Sequence, residues 1–261
     1  MKPLLICLFL LTNFVTAEIT ITRVFGPETK TGPYKHPSCL TELDNGDLYL
    51  AYYGGGGEYA ESTRVFASRL VKGSSKWTAP QVIAGNPFKS LGNPVVWQAP
   101  DGVVWLFYVT RFGETWSTSR IKAKISRDGA KTWSDSFLVT LQDGTMVRNQ
   151  PIVLSDGDYL LPIYHETGAD TEFTGADSTS RMLRFTPGQT QWREVGVIRS
   201  DKGNIQPGVV ETSPGNLIAY CRRCGDYEPT DQGWTVTASS TDGGKTWTKG
   251  TDSTFKNPNS A

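Results

Sequence analysis

The chain has 261 residues, with 26 basic and 26 acidic side chains, 38% hydrophobic residues and eight tryptophans. Zero net charge excludes a partner held by bulk charge, such as nucleic acid or an anionic membrane surface. The apolar and aromatic content excludes a disordered chain.

Residues 1–17 read as a secretory signal peptide. Lys2 supplies the charged start, Leu4 to Leu11 is almost wholly apolar, and Val15-Thr16-Ala17 is a small-residue cleavage site. The apolar run is too short to span a bilayer. The expectation is an exported domain over residues 18–261, secreted or periplasmic, with no membrane span. Beyond Cys7, three cysteines remain: Cys39, Cys221 and Cys224. Cys221-x-x-Cys224 reads as a local disulfide, a thiol pair or small residues packed in strands. No cluster has metal-ligand spacing, and no cofactor is called for.

Next along the chain come three in-phase markers. Turn glycines stand at Gly46, Gly102, Gly157 and Gly215, each before a strand-like run. Prolines recur at Pro37, Pro94, Pro151, Pro207 and Pro258, and the first four each lead into a short apolar segment. Tryptophans recur at Trp77, Trp133, Trp192 and Trp247. Each unit of about 55 residues reads as four antiparallel strands, with no helical periodicity. Such a unit cannot bury both faces alone, and repetition around an axis solves this: a β-propeller. The tryptophans are expected between neighbouring blades.

Two turns share one form, Ser126-Arg127-Asp128-Gly129-Ala130-Lys131-Thr132-Trp133 and Ser240-Thr241-Asp242-Gly243-Gly244-Lys245-Thr246-Trp247. The Asp side chain accepts turn N–H groups, and Gly permits positive φ. This pattern resembles the Asp box of the sialidase superfamily, and the chain looks like a BNR-repeat, sialidase-like protein. The resemblance implies a six-bladed propeller, of which about four complete four-stranded blades are present. Six units would need about 340 residues, so this chain is expected to be part of a longer protein. Ile19 to Phe25 alternates like a strand that would close the ring.

Residues preceding the marker prolines are polar throughout: His36, Asn93, Gln150, Gln206 and Asn257. They read as a ring of hydrogen-bonding groups around a sugar-sized pocket, or as amides that satisfy backbone near the axis. Loops after each second strand add Glu58, Glu61, Arg111, Glu114, Tyr164, His165, Glu166, Arg222, Arg223 and Asp226. Lys35, Arg111, Arg148 and Arg222 are cations suited to a sugar carboxylate, though Arg111 and Arg148 read better as solvated loop charge.

Sialidases use three arginines on the substrate carboxylate, an Asp acid/base and a Tyr nucleophile assisted by Glu. By that resemblance Lys35 stands at the first Arg, Arg222 at the second, and Gln206 at the assisting Glu. Glu58 or Glu61 falls near the Asp position. The Tyr and the third Arg would lie beyond Ala261.

The leading expectation is a sialidase-like glycoside hydrolase acting on terminal acidic sugars. Its acid is Glu58, Glu61 or Glu166, Arg222 holds the sugar carboxylate, and the ring of amides orients hydroxyls. Tyr164, Lys35 and Asn257 are expected to join in substrate binding. One alternative uses His36 or His165 on a uronic-acid linkage, by hydrolysis or β-elimination. Another is a glycan-binding propeller without catalysis.

Overall fold

The computed structural model describes residues 21–169, 173–225 and 228–258. The expected signal peptide and Asp226 lie outside them.

Four antiparallel sheets follow one another along the chain. Blade 1 is β1 (Tyr34–Glu42), β2 (Leu48–Gly55), β3 (Arg64–Leu70) and β4 (Gln81–Ala84). Blade 2 is β5 (Leu91–Gln98), β6 (Val104–Arg111), β7 (Ser119–Ser126) and β8 (Phe137–Leu138). Blade 3 has a divided inner strand, β9 (Thr145–Val147) and β10 (Ile152–Val153), then β11 (Tyr159–His165), β12 (Thr179–Phe185) and β13 (Arg193–Ile198). Blade 4 is β14 (Asn204–Ser213), β15 (Asn216–Arg223), β16 (Trp234–Ser240) and β17 (Thr251–Lys256). The order within each sheet is sequential, as in a propeller blade.

The expected hairpin turns sit between the first and second strands, with Gly46, Gly102, Gly157 and Gly215 all at positive φ. Each of the first four marker prolines interrupts the inner strand of its blade, because proline cannot donate to the ladder. The register slips between His36 and Ser38, between Gly92 and Val95, and between Ile205 and Gly208. In blade 3 the same interruption, at 148–151, splits the strand in two.

Three of the four marker tryptophans pack against the preceding blade. Trp133 lies 6.3 Å from Tyr49, and Trp192 lies 5.7 Å from Trp105 and 5.5 Å from Phe107. Trp247 joins the cluster shared by blades 3 and 4. Each stands just before the fourth strand rather than within it.

Both Asp boxes have the predicted turn chemistry. Asp242 accepts from Lys245 N at 3.0 Å, Thr246 N at 2.9 Å and the Thr246 hydroxyl at 2.6 Å. Asp128 does the same for Lys131 and Thr132. These donors push the Asp242 carboxyl down to about 2. Blades 1 and 3 lack the box, and each instead docks an arginine on the box turn of the next blade. Arg69, paired with Asp47, reaches the carbonyl of Gly129 in blade 2. Arg184, paired with Asp158, reaches that of Gly243 in blade 4.

One expectation needs correction, and one open reading is decided. Residues 21–26 form no strand, residues 19–20 are outside the description, and Phe25 instead stacks on Tyr52 at 4.3 Å. Cys39, Cys221 and Cys224 are free. Burial pushes the Cys221 and Cys224 thiols up to about 12, which keeps them as neutral packing groups.

Candidate active site

A cavity of about 260 Å³ opens where the inner strands begin and the second strands end. Blade 1 contributes Tyr34, His36, Tyr53, Glu58 and Tyr59; blade 2 contributes Asn93 and Trp116. Blade 3 adds Met146, Arg148, Tyr164, Glu166 and Thr174; blade 4 adds Ile205, Gln206 and Arg222. The volume lies just below the roughly 300 Å³ at which sites for drug-sized ligands begin, so one sugar ring is a suitable occupant.

The floor is strained. Asn93 (φ 44°) and Gln206 (φ 53°) adopt left-handed backbone directly before a proline. Asn tolerates that region better than Gln, but a following proline pushes either residue towards extended backbone, so the surrounding ladder imposes it. The conformation turns both side chains towards the axis. Asn93 Nδ2 donates to the Tyr164 hydroxyl at 3.0 Å. Tyr164 is 1% exposed, and burial, with Glu166 close by, raises its hydroxyl well above the usual range.

Among the described residues, two carboxyls face the space. Glu58 accepts the Tyr34 hydroxyl at 2.8 Å on one oxygen and the Trp116 indole N–H at 3.1 Å on the other. Glu166 is in the opposite situation. Burial pushes its carboxyl up to about 7, Glu58 adds to the rise, and Arg222 partly offsets it. The site therefore separates a carboxyl held as a hydrogen-bond acceptor from one that keeps its proton near neutrality. Shelter from water lowers the His36 imidazole; Glu58 opposes this and Arg148 reinforces it.

Of the twelve residues expected at the site, seven line the cavity: His36, Glu58, Asn93, Tyr164, Glu166, Gln206 and Arg222. Five do not, for local reasons. Lys35 lies on the opposite pleat from Tyr34 and His36, and its ammonium donates to Gly32 O at 2.6 Å. His165 is turned away by the same alternation, between Tyr164 and Glu166, and meets Gln142 at 3.3 Å. Glu61 is an exposed loop residue whose carbonyl accepts from Arg64. Asn257 bonds the end of blade 4, accepting from Arg223 N at 3.0 Å and Nε at 2.7 Å. Gln150 belongs to the axis. Its amide donates to Leu40 O at 3.1 Å and Val96 O at 2.7 Å, further along β1 and β5 than the cavity residues. Neighbouring Asn149 donates to Pro207 O at 2.8 Å. The break in blade 3 thus ties together the inner strands of all four blades.

Both arginines read as solvated charge behave otherwise. Arg148 lines the cavity, and Arg111 is 8% exposed. Arg148 stands three residues before Pro151, where Lys35 stands two before Pro37; the divided strand displaces it by one. Tyr34, Tyr53, Tyr59 and Trp116 carried no repeat signal that marks them for the site.

Several sialidases are among the solved structures that share this fold. A Hadza microbial sialidase superposes with a TM-score of 0.68 at 16% identity, over 86% of this chain and 48% of its own. The intramolecular trans-sialidase of Ruminococcus gnavus gives 0.68 at 14% identity, over 89% and 73%. The NanB sialidase of Streptococcus pneumoniae gives 0.68 at 11%, over 89% and 54%. The chain spans about half the length of the first and third of these. At these identities the likeness shows the fold. No curated protein matches the chain in sequence. Residues 46–261 match the model of the BNR repeat-like domain, and with the Asp boxes and the sialidase-type propeller this makes the chain a member of that sialidase-like BNR family.

Proposed function

We propose that the protein is an exported glycoside hydrolase that removes a terminal, carboxylate-bearing sugar from a glycan. One observation carries this reading: Glu58, Glu166, Arg148 and Arg222 line a single sugar-sized cavity. Arg148 and Arg222 bind the sugar carboxylate, for which the guanidinium fork is suited. Glu166 gives its proton to the departing glycosidic oxygen. Glu58 serves as the second carboxyl, either activating water or attacking the anomeric carbon. Asn93 and Gln206 orient hydroxyls, and Tyr164 completes the wall. The R. gnavus neighbour was solved with oseltamivir carboxylate bound, which is consistent with an acidic ligand on this fold.

A second reading has support from His36. Its imidazole is kept neutral by shelter from water, and the Tyr34 and Tyr53 rings lie 6.1 and 5.9 Å away. A neutral base beside Arg148 suits β-elimination on a uronic acid. There His36 takes the C5 proton, the C4–O bond breaks, a C4–C5 double bond forms, and the departing sugar oxygen takes a proton from solvent.

The test is product analysis on oligosaccharides ending in sialic or uronic acids, and on oligosaccharides in which a uronic acid carries a further sugar on O4. Hydrolysis releases one saturated acidic sugar. Elimination yields an unsaturated product absorbing in the near ultraviolet. Binding without any product would replace both readings with a glycan-binding propeller.

A further inference from the structure

Blade 2 reaches over blade 1 at the cavity rim. β6 ends at Arg111, a buried guanidinium, and such a group needs its donors filled. Its Nε donates to the Ser90 hydroxyl at 3.0 Å. One terminal nitrogen donates to the carbonyls of Gly113 at 2.8 Å and Glu114 at 2.6 Å. The other donates to the carbonyl of Tyr59, in blade 1, at 2.6 Å. The guanidinium also lies 4.8 Å from the centre of the Tyr59 ring, a cation–π contact. One side chain thus binds the loop after β6 to the loop after β2.

Those loops carry the two partners of a second contact. The loop after β6 presents Trp116, 8% exposed, whose indole N–H donates to Glu58 in the loop after β2. The Trp116 ring has a built seat. A β-carbon at Gly92 would stand 2.8 Å from it, so only glycine leaves room. Tyr59 closes the other side, with ring centres 5.6 Å apart.

Resting on the hydrolytic reading above, we infer that Arg111 and Trp116 are positioning residues for Glu58. Arg111 fixes the separation of the two loops, and Trp116 uses that separation to set the direction of the carboxylate. Tyr34 holds the second oxygen. Neither Arg111 nor Trp116 has to touch the reacting bond for the effect to be large, since a misplacement of about 1 Å costs ~10²-fold in rate.

The experiment has two arms. The first is the set of indole N–H resonances in ¹⁵N NMR spectra of the whole chain, with the Trp116 signal assigned by its loss in Trp116→Phe. Glu58→Gln moves that signal. Arg111→Lys moves it too, while the other indole signals stay in place. A Trp116 signal unmoved by Glu58→Gln or by a folded Arg111→Lys overturns the inference. The second arm is kinetic. Trp116→Phe keeps a ring and removes the donor, so kcat falls roughly 10- to 100-fold with KM within about twofold. Unchanged kcat, or a loss confined to KM, overturns the positioning role. If Arg111→Lys fails to fold, Trp116→Phe and Tyr34→Phe carry the test through the same kcat–KM split. If the wild type turns over no acidic glycan, the hydrolytic reading falls, and the resonance arm still decides whether Arg111 and Trp116 hold Glu58.

Discussion

The Asn93 amide donates to the Tyr164 hydroxyl at 3.0 Å, so a strained residue of blade 2 is latched to a buried ring of blade 3. The bond gives the unfavourable φ of Asn93 its compensation. Tyr164→Phe removes the acceptor and leaves a polar group short of a partner, at a cost of about 1–3 kcal/mol. We expect the thermal midpoint to fall by roughly 2–10 °C, as read by calorimetry. An unchanged midpoint would mean that the ladder alone sustains the strain.

Glu166 sets the expected pH dependence. Its folded carboxyl is raised from 4.5 to about 7. The folded state therefore keeps this proton across a range in which the unfolded chain has lost it. From this group, stability declines as pH rises from about 4.5 to about 7, then levels off. Glu166→Gln abolishes that slope in denaturant titrations at stepped pH. The same substitution removes the general acid, and turnover falls ~10²–10⁴-fold. In the wild type, turnover declines as pH rises through about 7, because the acid is then ionised.

Asp242 has the opposite sign. Its folded carboxyl is lowered from 3.8 to about 2 by hydrogen bonds from the turn. That contribution is present above pH 3.8 and disappears as pH falls through about 2. Asp242→Ala should lower the thermal midpoint at neutral pH by roughly 2–8 °C. The deficit relative to wild type should shrink in acid. Binding of glycans should persist, because the Asp box packs blades and does not line the cavity.

Much of the fold was legible because its markers act locally. A glycine at positive φ, a proline that interrupts a ladder and an Asp that closes a turn each dictate nearby backbone, and their period exposed the blades. The candidate site was legible only in part. Strand alternation could have separated Tyr164 and Glu166 from His165, but the strand's end was not evident from its residues. Gln150 and Gln206 both precede a proline, yet one ties the axis and the other lines the cavity. The difference lies in the divided strand of blade 3, which no local pattern announces. The same division concealed Arg148. Trp116 and Tyr59 meet through loops of different blades, a relationship that exists only once the blades are packed.

The central claim is that the cavity recognises a carboxylate through its two arginines. Titration calorimetry tests it directly, comparing an acidic monosaccharide with its neutral amide on wild type, Arg148→Ala and Arg222→Ala. Charge-assisted hydrogen bonds worth about 1.5–3 kcal/mol predict that the acid binds roughly 10- to 150-fold tighter than the amide. Each arginine variant should lose most of that advantage. Equal affinity for acid and amide in the wild type, or a preference that survives both substitutions, would contradict the account.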